Sequence, residues 1–247
     1  MPNVVAIIGI RMASTRLYGK PLKIIDGKPI VRHLIDIFRK VRGIDSIVLA
    51  TSDKEENKVF LDYAKQEGLF CYVDTGHSEE DVLGRLIRTA NIVKANHVVR
   101  ATPEGPIRYQ NIDTVIKRHL DTAADLTYTE KLPGGTNVEV ISLSAMKRAY
   151  QLDEKYHCAM VTLCMNEHPD IFKIEIITPP KHLQRPELDL DVDTEGNLSA
   201  VREIFDNAGR GKNGFVDVED AIAYVDKHPR LARMLAEGRN PIEGRIW

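Results

Sequence analysis

The stretch VVAIIGIRMASTRLYGKPL, residues 4–22, decides the fold, because a short apolar run leads directly into a cationic loop. The run Val4–Ile8 is uncharged and mostly β-branched, which is typical of a strand buried on both faces of a parallel sheet. Arg11, Arg16 and Lys20 follow it within twelve residues. In open α/β sheets, ligands bind beyond the carboxyl ends of the strands. The loop is therefore predicted to lie at a ligand site.

The composition of this loop suits phosphate groups. The planar guanidinium groups of Arg11 and Arg16 can hold phosphate oxygens through several N–H donors, and Lys20 adds a third positive charge. The hydroxyl groups of Ser14 and Thr15 would bring further donors, and Gly9 and Gly19 would allow close backbone approach; Ile10, between Gly9 and Arg11, is a further candidate for the ligand site. Three cations in a loop are also typical of a solvated surface, and charge alone does not decide between such a surface and a ligand site. If the loop binds a ligand, its chemistry favours a nucleoside triphosphate.

The first half of the chain alternates strand and helix patterns, as in a doubly wound α/β sheet. Besides the first strand, apolar runs predict strands at Ser46–Ala50, Leu69–Val73 and His97–Ala101. The spacing predicts one helix from Ile30 to Arg42, ended by Gly43. A second helix is expected after Asp53, a plausible N-cap, and is expected to end near Gly68.

The second half is predicted to complete a single domain spanning residues 1–247. After a turn at Leu132–Thr136, strands are expected at Val138–Ile141, Ile171–Ile177 and Leu188–Val192, and these later elements are expected to build a small dimerisation and substrate lobe. Residues 218–247 are expected to form a helical extension. Its predicted parts are helices at Val218–Lys227 and Pro229–Glu237 and a short tail ending at Trp247.

Composition excludes several classes of protein. The chain has 247 residues, 34 Lys and Arg against 36 Asp and Glu, and a formal net charge of −2, so it lacks the basic field that drives nucleic-acid binding. Cys71, Cys158 and Cys164 have neither zinc-ligand nor disulfide-framework spacing. No apolar stretch is long enough to span a membrane, and the N-terminus does not resemble a signal peptide. We expect a cytoplasmic protein without membrane or nucleic-acid partners.

The order of residues R-M-A-S-T-R-L-Y-G-K-P-L, at 11–22, closely resembles the signature loop of the sugar cytidylyltransferases. This group includes the 3-deoxy-manno-octulosonate, acylneuraminate and spore-coat polysaccharide cytidylyltransferases, in which the loop binds the triphosphate of CTP. The resemblance implies a mostly parallel sheet with helices on both faces, of the nucleotide-diphospho-sugar transferase type. It also implies Mg²⁺ as cofactor and a homodimer. Tyr18 stands where the family usually has proline.

Two acidic segments resemble the metal-binding segments of the family. Thr102-Pro103-Glu104 occupies the place of a T-G-D or Q-G-D loop, which implies that Thr102 binds nucleotide and Glu104 binds metal. The run ending at Asp193 resembles V-D-T-P-E-D and implies a second metal ligand. Asp191 shares a strand face with Asp193 and is expected to be a neighbouring partner or a further ligand. The alternative for Asp193 or Thr194 is a helix N-cap.

Two other segments resemble the nucleotide pocket of the family. Ala50–Asp53 resembles its A-T-S-D turn, which implies that Thr51 and Asp53 line the base pocket, although Asp53 alone favours an N-cap. Residues 76–85 resemble the run G-S-E-D-D-V-L-D-R of the spore-coat group. Here Ser78 is expected to cap a helix and Arg85 is expected to face the nucleotide. Gly84 stands where the family often has aspartate.

The resemblance implies transfer of CMP from CTP onto a sugar acid or related polar acceptor, with release of pyrophosphate, for surface polysaccharide synthesis. The acceptor region differs, since Cys158–Cys164 lacks the Glu-His pair of the spore-coat group, and His157 is the nearest substitute. Two alternatives remain open. One is a non-catalytic nucleotide-binding regulator, and the other is a nucleotide-sugar-dependent glycosyltransferase, because Asp191-Val192-Asp193 has D-x-D spacing.

Overall fold

A computed structural model describes residues 3–236 as one α/β unit built on a seven-stranded sheet. The strands of the described residues are β1 (Val4–Gly9), β2 (Ile24–Ile25), β3 (Lys28–Pro29), β4 (Ser46–Ser52), β5 (Phe70–Asp74), β6 (His97–Ala101), β7 (Leu126–Thr129), β8 (Glu139–Ser142) and β9 (Ile174–Ile177). The helices are α1 (Ile30–Phe38), α2 (Val59–Glu67), α3 (Val82–Ile92), α4 (Ile112–Thr122), α5 (Leu143–Leu152), α6 (Leu163–Glu167), α7 (Glu195–Asn207), α8 (Val218–Lys227) and α9 (Pro229–Ala236).

The sheet order is β5-β4-β1-β6-β8-β7-β9, with β1 near the centre. Strand β1 pairs in parallel with β4 and with β6, while β8 runs antiparallel to both of its neighbours. The chain moves outward from β1 through β4 to β5 and then returns to place β6 on the opposite side. A crevice for ligands is expected at such a switch in strand order, beyond the carboxyl ends of β1 and β6.

Helices cover both faces of the sheet, as the sequence predicts for a doubly wound fold. Because side chains alternate along a strand, Ala6 and Ile8 join a core with α1, α2, α4 and α7 to α9. Val5 and Ile7 join a second core with α3, α5 and α6. All four side chains are fully buried, which confirms that β1 is covered on both faces. The strand therefore presents its polar continuation, the cationic loop, only at its carboxyl end.

Several predicted element boundaries are wrong for local reasons. Helix α1 ends at Phe38, well before Gly43, because the N–H groups of Lys40 and Val41 donate to carbonyls only three residues back. Asp53 does not cap α2: residues 55–58 form a 3₁₀ turn first, and the Asp53 carboxylate accepts from the Gly76 N–H at 3.3 Å. The other end of α2 is confirmed, since Gly68 terminates it with a left-handed φ of 66°.

The later part of the chain extends the same sheet through β8, β7 and β9. Its expected role in dimerisation and substrate binding stays a prediction. The run Leu188–Val192 is wrong as a strand, since it makes one isolated bridge, from Asp189 to Gly134. The predicted α8 is confirmed, and α9 is described to Ala236; Glu237 and the tail to Trp247 lie outside the described residues. No helix within residues 3–236 is long and apolar enough to cross a membrane.

Candidate active site

A cavity of about 740 Å³ opens beyond the carboxyl ends of β1 and β6, where the switch in strand order predicts a ligand site. Five parts of the chain form its walls: the cationic loop, the segment after β5 leading into α3, the end of β6 with the loop after it, the residues around the start of α6, and Asp193. Of the predicted site residues, those that line it are Gly9, Ile10, Arg11, Ser14, Thr15, Arg16, Lys20, Arg85, Thr102, Glu104 and Asp193. Most of the candidates therefore converge on one space.

The cationic loop is closed at its base. The Gly19 N–H donates to the Met12 carbonyl at 3.0 Å, and a left-handed φ of 66° at Gly19 allows the turn. The Met12 N–H donates to the side-chain oxygen of Asn57 at 2.7 Å, and Asn57 is fully buried. Lys20 then begins a 3₁₀ turn with Pro21 in its first turn. Ser14 and Thr15 lie on the loop between these fixed ends, on the cavity wall.

The three cations of the loop all pair with acidic residues. Lys20 is buried, and its Nζ donates to Asp193 at 2.7 Å and to Glu104 at 3.1 Å. Arg16 forms an ion pair with the other oxygen of Asp193 at 2.7 Å. Arg11 reaches Glu80 at 3.1 Å across the cavity mouth, where both side chains are exposed. Lys20 and Arg16 are therefore held against acidic partners on the cavity wall, whereas Arg11 and its partner remain exposed to solvent.

Glu104 and Asp193 come from distant parts of the sequence but are fixed side by side. The Glu104 carbonyl accepts from the Val192 N–H at 2.8 Å, which joins the two acidic segments through the backbone. Thr194, with Asn197, caps α7 in a reciprocal capping box, so Asp193 is left to face the cavity. Burial opposes the charge on Glu104, but the nearby Lys20 ammonium outweighs it and lowers the Glu104 pKa.

Asp191 lies behind this pair and not on the cavity wall. Burial, followed by the charges of Asp189 and Glu104, raises the pKa of Asp191 to about 8. Gly135 packs so closely that a Cβ there would lie 2.2 Å from an Asp191 carboxylate oxygen. The buried Arg108, which sequence analysis missed, donates to the carbonyls of Gly135 and Thr102. This layer holds the backbone of Thr102 and supports the two carboxylates.

Two candidates for the base pocket do not line the cavity. Thr51 is buried, and its hydroxyl oxygen has no hydrogen-bond partner within the described part of the chain. Asp53 is exposed and turned toward Gly76. Their neighbour Ser52 instead donates to the Glu79 carboxylate at 2.8 Å, and Glu79 lines the cavity. The pocket role of Thr51 and Asp53 stays a prediction that their positions do not support.

Arg85 does face the cavity, as the sequence predicts, at the start of α3. Its Nη2 donates to the Glu79 carbonyl at 2.7 Å, and its Nε lies 3.6 Å from a carboxylate oxygen of Asp74. The predicted cap of α3 is wrong: Asp81 accepts from the Gly84 N–H at 3.0 Å and caps the helix, while Ser78 accepts from the Glu80 N–H. The closer residue wins because Asp81 immediately precedes the first turn.

The opposite end of the cavity is formed by β6 and the start of α6. Arg100 crosses it, donating to Glu139 at 2.8 Å and to the Ala159 carbonyl at 2.9 Å. The remaining wall there is mostly neutral and comes from Met160, Thr162, Leu163 and Asn166. His157 does not line the cavity; its ring stacks on Tyr150 with centroids 3.5 Å apart. It does not replace the missing Glu-His pair.

Glu104 and Asp193 are suited in type and position to Mg²⁺. The described residues contain no group of three or more His, Cys, Asp or Glu side chains placed to hold a metal. Two carboxylates that converge on one ammonium nevertheless match a divalent ion that takes one or two protein carboxylates and completes its shell with phosphate and water. The donor set thus fits a metal that arrives with a triphosphate.

The fold is that of the α/β nucleotidyltransferases, and comparison with known proteins identifies a narrower family within that class. Residues 5–208 match the family model described as cytidylyltransferase, so this chain belongs to the cytidylyltransferase family. The chain is 27% identical over 240 residues to the spore coat polysaccharide biosynthesis protein SpsF of Bacillus subtilis. The alignment covers 94% of this chain and 98% of that protein.

Two solved structures share the fold. A cytidylyltransferase from Leptospira borgpetersenii superposes with a TM-score of 0.80 at 18% identity, covering 94% of this chain and 97% of that one. CMP:2-keto-3-deoxy-manno-octonic acid synthetase complexed with CTP superposes with a TM-score of 0.63 at 16% identity, covering 83% and 98%. Both confirm the predicted architecture, a mostly parallel sheet with helices on both faces.

Proposed function

We propose that this protein transfers CMP from CTP to an oxygen of a sugar acid or related polar acceptor and releases pyrophosphate, and that it requires Mg²⁺. The observation that carries the proposal is the junction of Lys20 with Glu104 and Asp193, joined by Arg16, on the wall of a single cavity. Cations for a triphosphate and carboxylates for a metal meet there. CTP is the ligand of one structural neighbour, the CMP:2-keto-3-deoxy-manno-octonic acid synthetase complexed with CTP, and this supports the choice of nucleotide.

In this reaction an acceptor oxygen forms a bond to the α-phosphorus of CTP, and the bond from that phosphorus to the β-phosphate oxygen breaks. Arg11, Arg16 and Lys20 would stabilise the negative charge of the departing pyrophosphate. The acceptor gives up its hydroxyl proton to solvent water, or enters already ionised. Glu104 and Asp193 would hold Mg²⁺, which would supply Lewis-acid stabilisation of the phosphates when bound. Most of the rate then comes from holding the reactants in position.

Arg100 supports an anionic acceptor. Its guanidinium lies on the cavity wall, and Glu139 and the Ala159 carbonyl fix its plane. A planar guanidinium held in this way is suited to bind a carboxylate through parallel hydrogen bonds. Asn166 and Thr162 could donate to sugar hydroxyl groups beside it. A homodimer acting in the cytoplasm in polysaccharide synthesis is the biological setting that we propose, in line with the name of the Bacillus relative.

The test is pyrophosphate release from CTP, UTP, ATP or GTP with Mg²⁺ and a panel of sugar acids, sugar phosphates and phosphonates. We expect release with CTP and a sugar acid, and its loss in Glu104→Gln and Asp193→Asn. Glu195→Gln is the matched control, because Glu195 is exposed and its carboxylate, within residues 3–236, pairs only with Lys23 at 3.4 Å. Tight CTP binding without release would favour a non-catalytic regulator. Consumption of a nucleotide sugar without pyrophosphate would favour a glycosyltransferase.

A further inference from the structure

One end of the cavity combines apolar walls with a paired acceptor and donor. Ile10, Val82 and Leu86 line this end, and Ile10 and Leu86 are otherwise almost fully buried. Glu79 and Arg85 line it as well, adjacent through the hydrogen bond from the Arg85 guanidinium to the Glu79 carbonyl. Apolar surfaces beside a short row of polar atoms are suited to a flat heterocycle whose edge is read by hydrogen bonds.

The Glu79 carboxylate is fixed as a hydrogen-bond acceptor. Its Oε1 accepts from the Ser52 hydroxyl at 2.8 Å and from the Asn57 amide at 3.2 Å. The orientation of Asn57 is settled, since its oxygen accepts from the Met12 N–H and its nitrogen also donates to Ser52 at 2.8 Å. Every neighbour in this network therefore delivers a donor to Glu79. Its second oxygen makes no hydrogen bond to the residues that the structure describes.

Arg85 supplies the complementary donor. Its side chain is 8% exposed, and its Nε is buried without a hydrogen-bond partner within residues 3–236. This nitrogen is shielded from the cavity as well as from solvent, so the donors that Arg85 can offer a ligand there are those of its Nη groups. The nearest carboxylate, Asp74, lies 3.6 Å from the Nε and holds the charge without accepting a hydrogen bond from it.

We propose that Glu79 is the residue that selects cytosine over uracil in the nucleotide, an inference that rests on the proposed function. The 4-amino group of cytosine is a donor, and a carboxylate accepts from it. Arg85 beside it donates to the acceptor atoms of the same ring edge. Uracil carries an oxygen in place of the amino group, so it would set a lone pair against the Glu79 carboxylate. Discrimination then follows from repulsion as well as from the lost hydrogen bond.

The test measures the affinities of CTP and UTP, with Mg²⁺ and no acceptor, for the wild type, Glu79→Gln and Glu80→Gln. We expect the wild type to favour CTP by about tenfold or more. In Glu79→Gln the amide oxygen can still accept from Ser52 while its NH₂ donates to uracil, so the preference falls to about threefold or less. Glu80→Gln is the matched control, since the Glu80 carboxylate pairs with Arg11, whereas the Glu79 carboxylate accepts from Ser52. It is expected to keep the preference.

A change in the ligand tests the same point without a variant. The triphosphate of zebularine, a cytidine analogue without the 4-amino group, should bind the wild type about tenfold more weakly than CTP does. An unchanged CTP preference in Glu79→Gln, or equal binding of CTP and the zebularine triphosphate, would overturn the assignment of Glu79 and leave triphosphate binding intact. Failure of the wild type to bind any triphosphate would overturn the proposed function together with it.

Discussion

Replacing Lys20 with methionine should destabilise the protein by leaving two carboxylates without their shared counter-ion. Lys20 and Asp193 are almost buried, with side chains 6% and 12% exposed, while Glu104 is 37% exposed. Removing one partner of a buried ion pair costs about 3 to 5 kcal/mol, and the partial exposure of Glu104 favours the lower end, about 3 kcal/mol. For a chain of this size the melting temperature should fall by about 6 to 12 °C.

The assay is thermal and urea unfolding in EDTA, with Lys28→Met as the matched control. Lys28 bonds Asp36 at 2.7 Å as Lys20 bonds Asp193, but its side chain is 48% exposed, so its loss should cost less than about 1 kcal/mol. If Glu104 and Asp193 form the metal site, millimolar Mg²⁺ should restore part of the stability of Lys20→Met and leave Lys28→Met unchanged. Equal stability of the two variants in EDTA would refute the reasoning.

Three further outcomes are expected. Burial lowers the pKa of His119 to about 4 from an ordinary 6.5, so the unfolded chain binds the proton more readily than the folded one. The free energy of unfolding should therefore fall by about 3 kcal/mol as pH drops from 6.5 to 4, and urea unfolding of His119→Gln should show a smaller fall. Gly135→Ala should lower the melting temperature and the CTP affinity, because the added Cβ would clash with Asp191. Gly27→Ala is the control: its added Cβ has no atom within 4 Å, so the same melts should show only the strain of positive φ, about 1 kcal/mol. Asn57→Ala leaves the half-buried Met12 N–H without its Asn57 acceptor and should cost about 1 to 3 kcal/mol in unfolding and weaken CTP binding in titrations; unchanged CTP affinity would contradict its role in holding the loop.

The sequence predicts the parts of the site that depend on strand ends. An uncharged β-branched run fixes β1, so Arg16 and Lys20 must emerge at the edge where parallel strands end. Glu104 follows β6, the other strand at the switch, and resemblance to the family adds Asp193. These residues are brought together by the structure because the strand order places their segments at one crevice.

The base end of the cavity could not be predicted in the same way. The network of Ser52, Asn57 and Glu79 joins a strand end, a 3₁₀ turn and a loop, and such irregular neighbours leave no periodic pattern in the sequence. The A-T-S-D resemblance drew attention to Thr51 and Asp53, while strand alternation turns the intervening Ser52 toward Glu79. Likewise, Leu188–Val192 has strand composition but passes the sheet with a single bridge.

The closed base of the cationic loop separates residues 12–19 from Lys20. The hydrogen bond from Gly19 to Met12 ties the two ends of residues 12–19 to each other, and the hydrogen bond from Met12 to Asn57 anchors them to the body of the protein. Lys20 lies outside that ring, on a 3₁₀ turn of its own. Shape changes at the tip, near Tyr18, therefore need not be transmitted to the lysine between the carboxylates. Arg16, which lies within the ring, pairs with Asp193, so a change at the tip would reach the charge balance at the root through that residue.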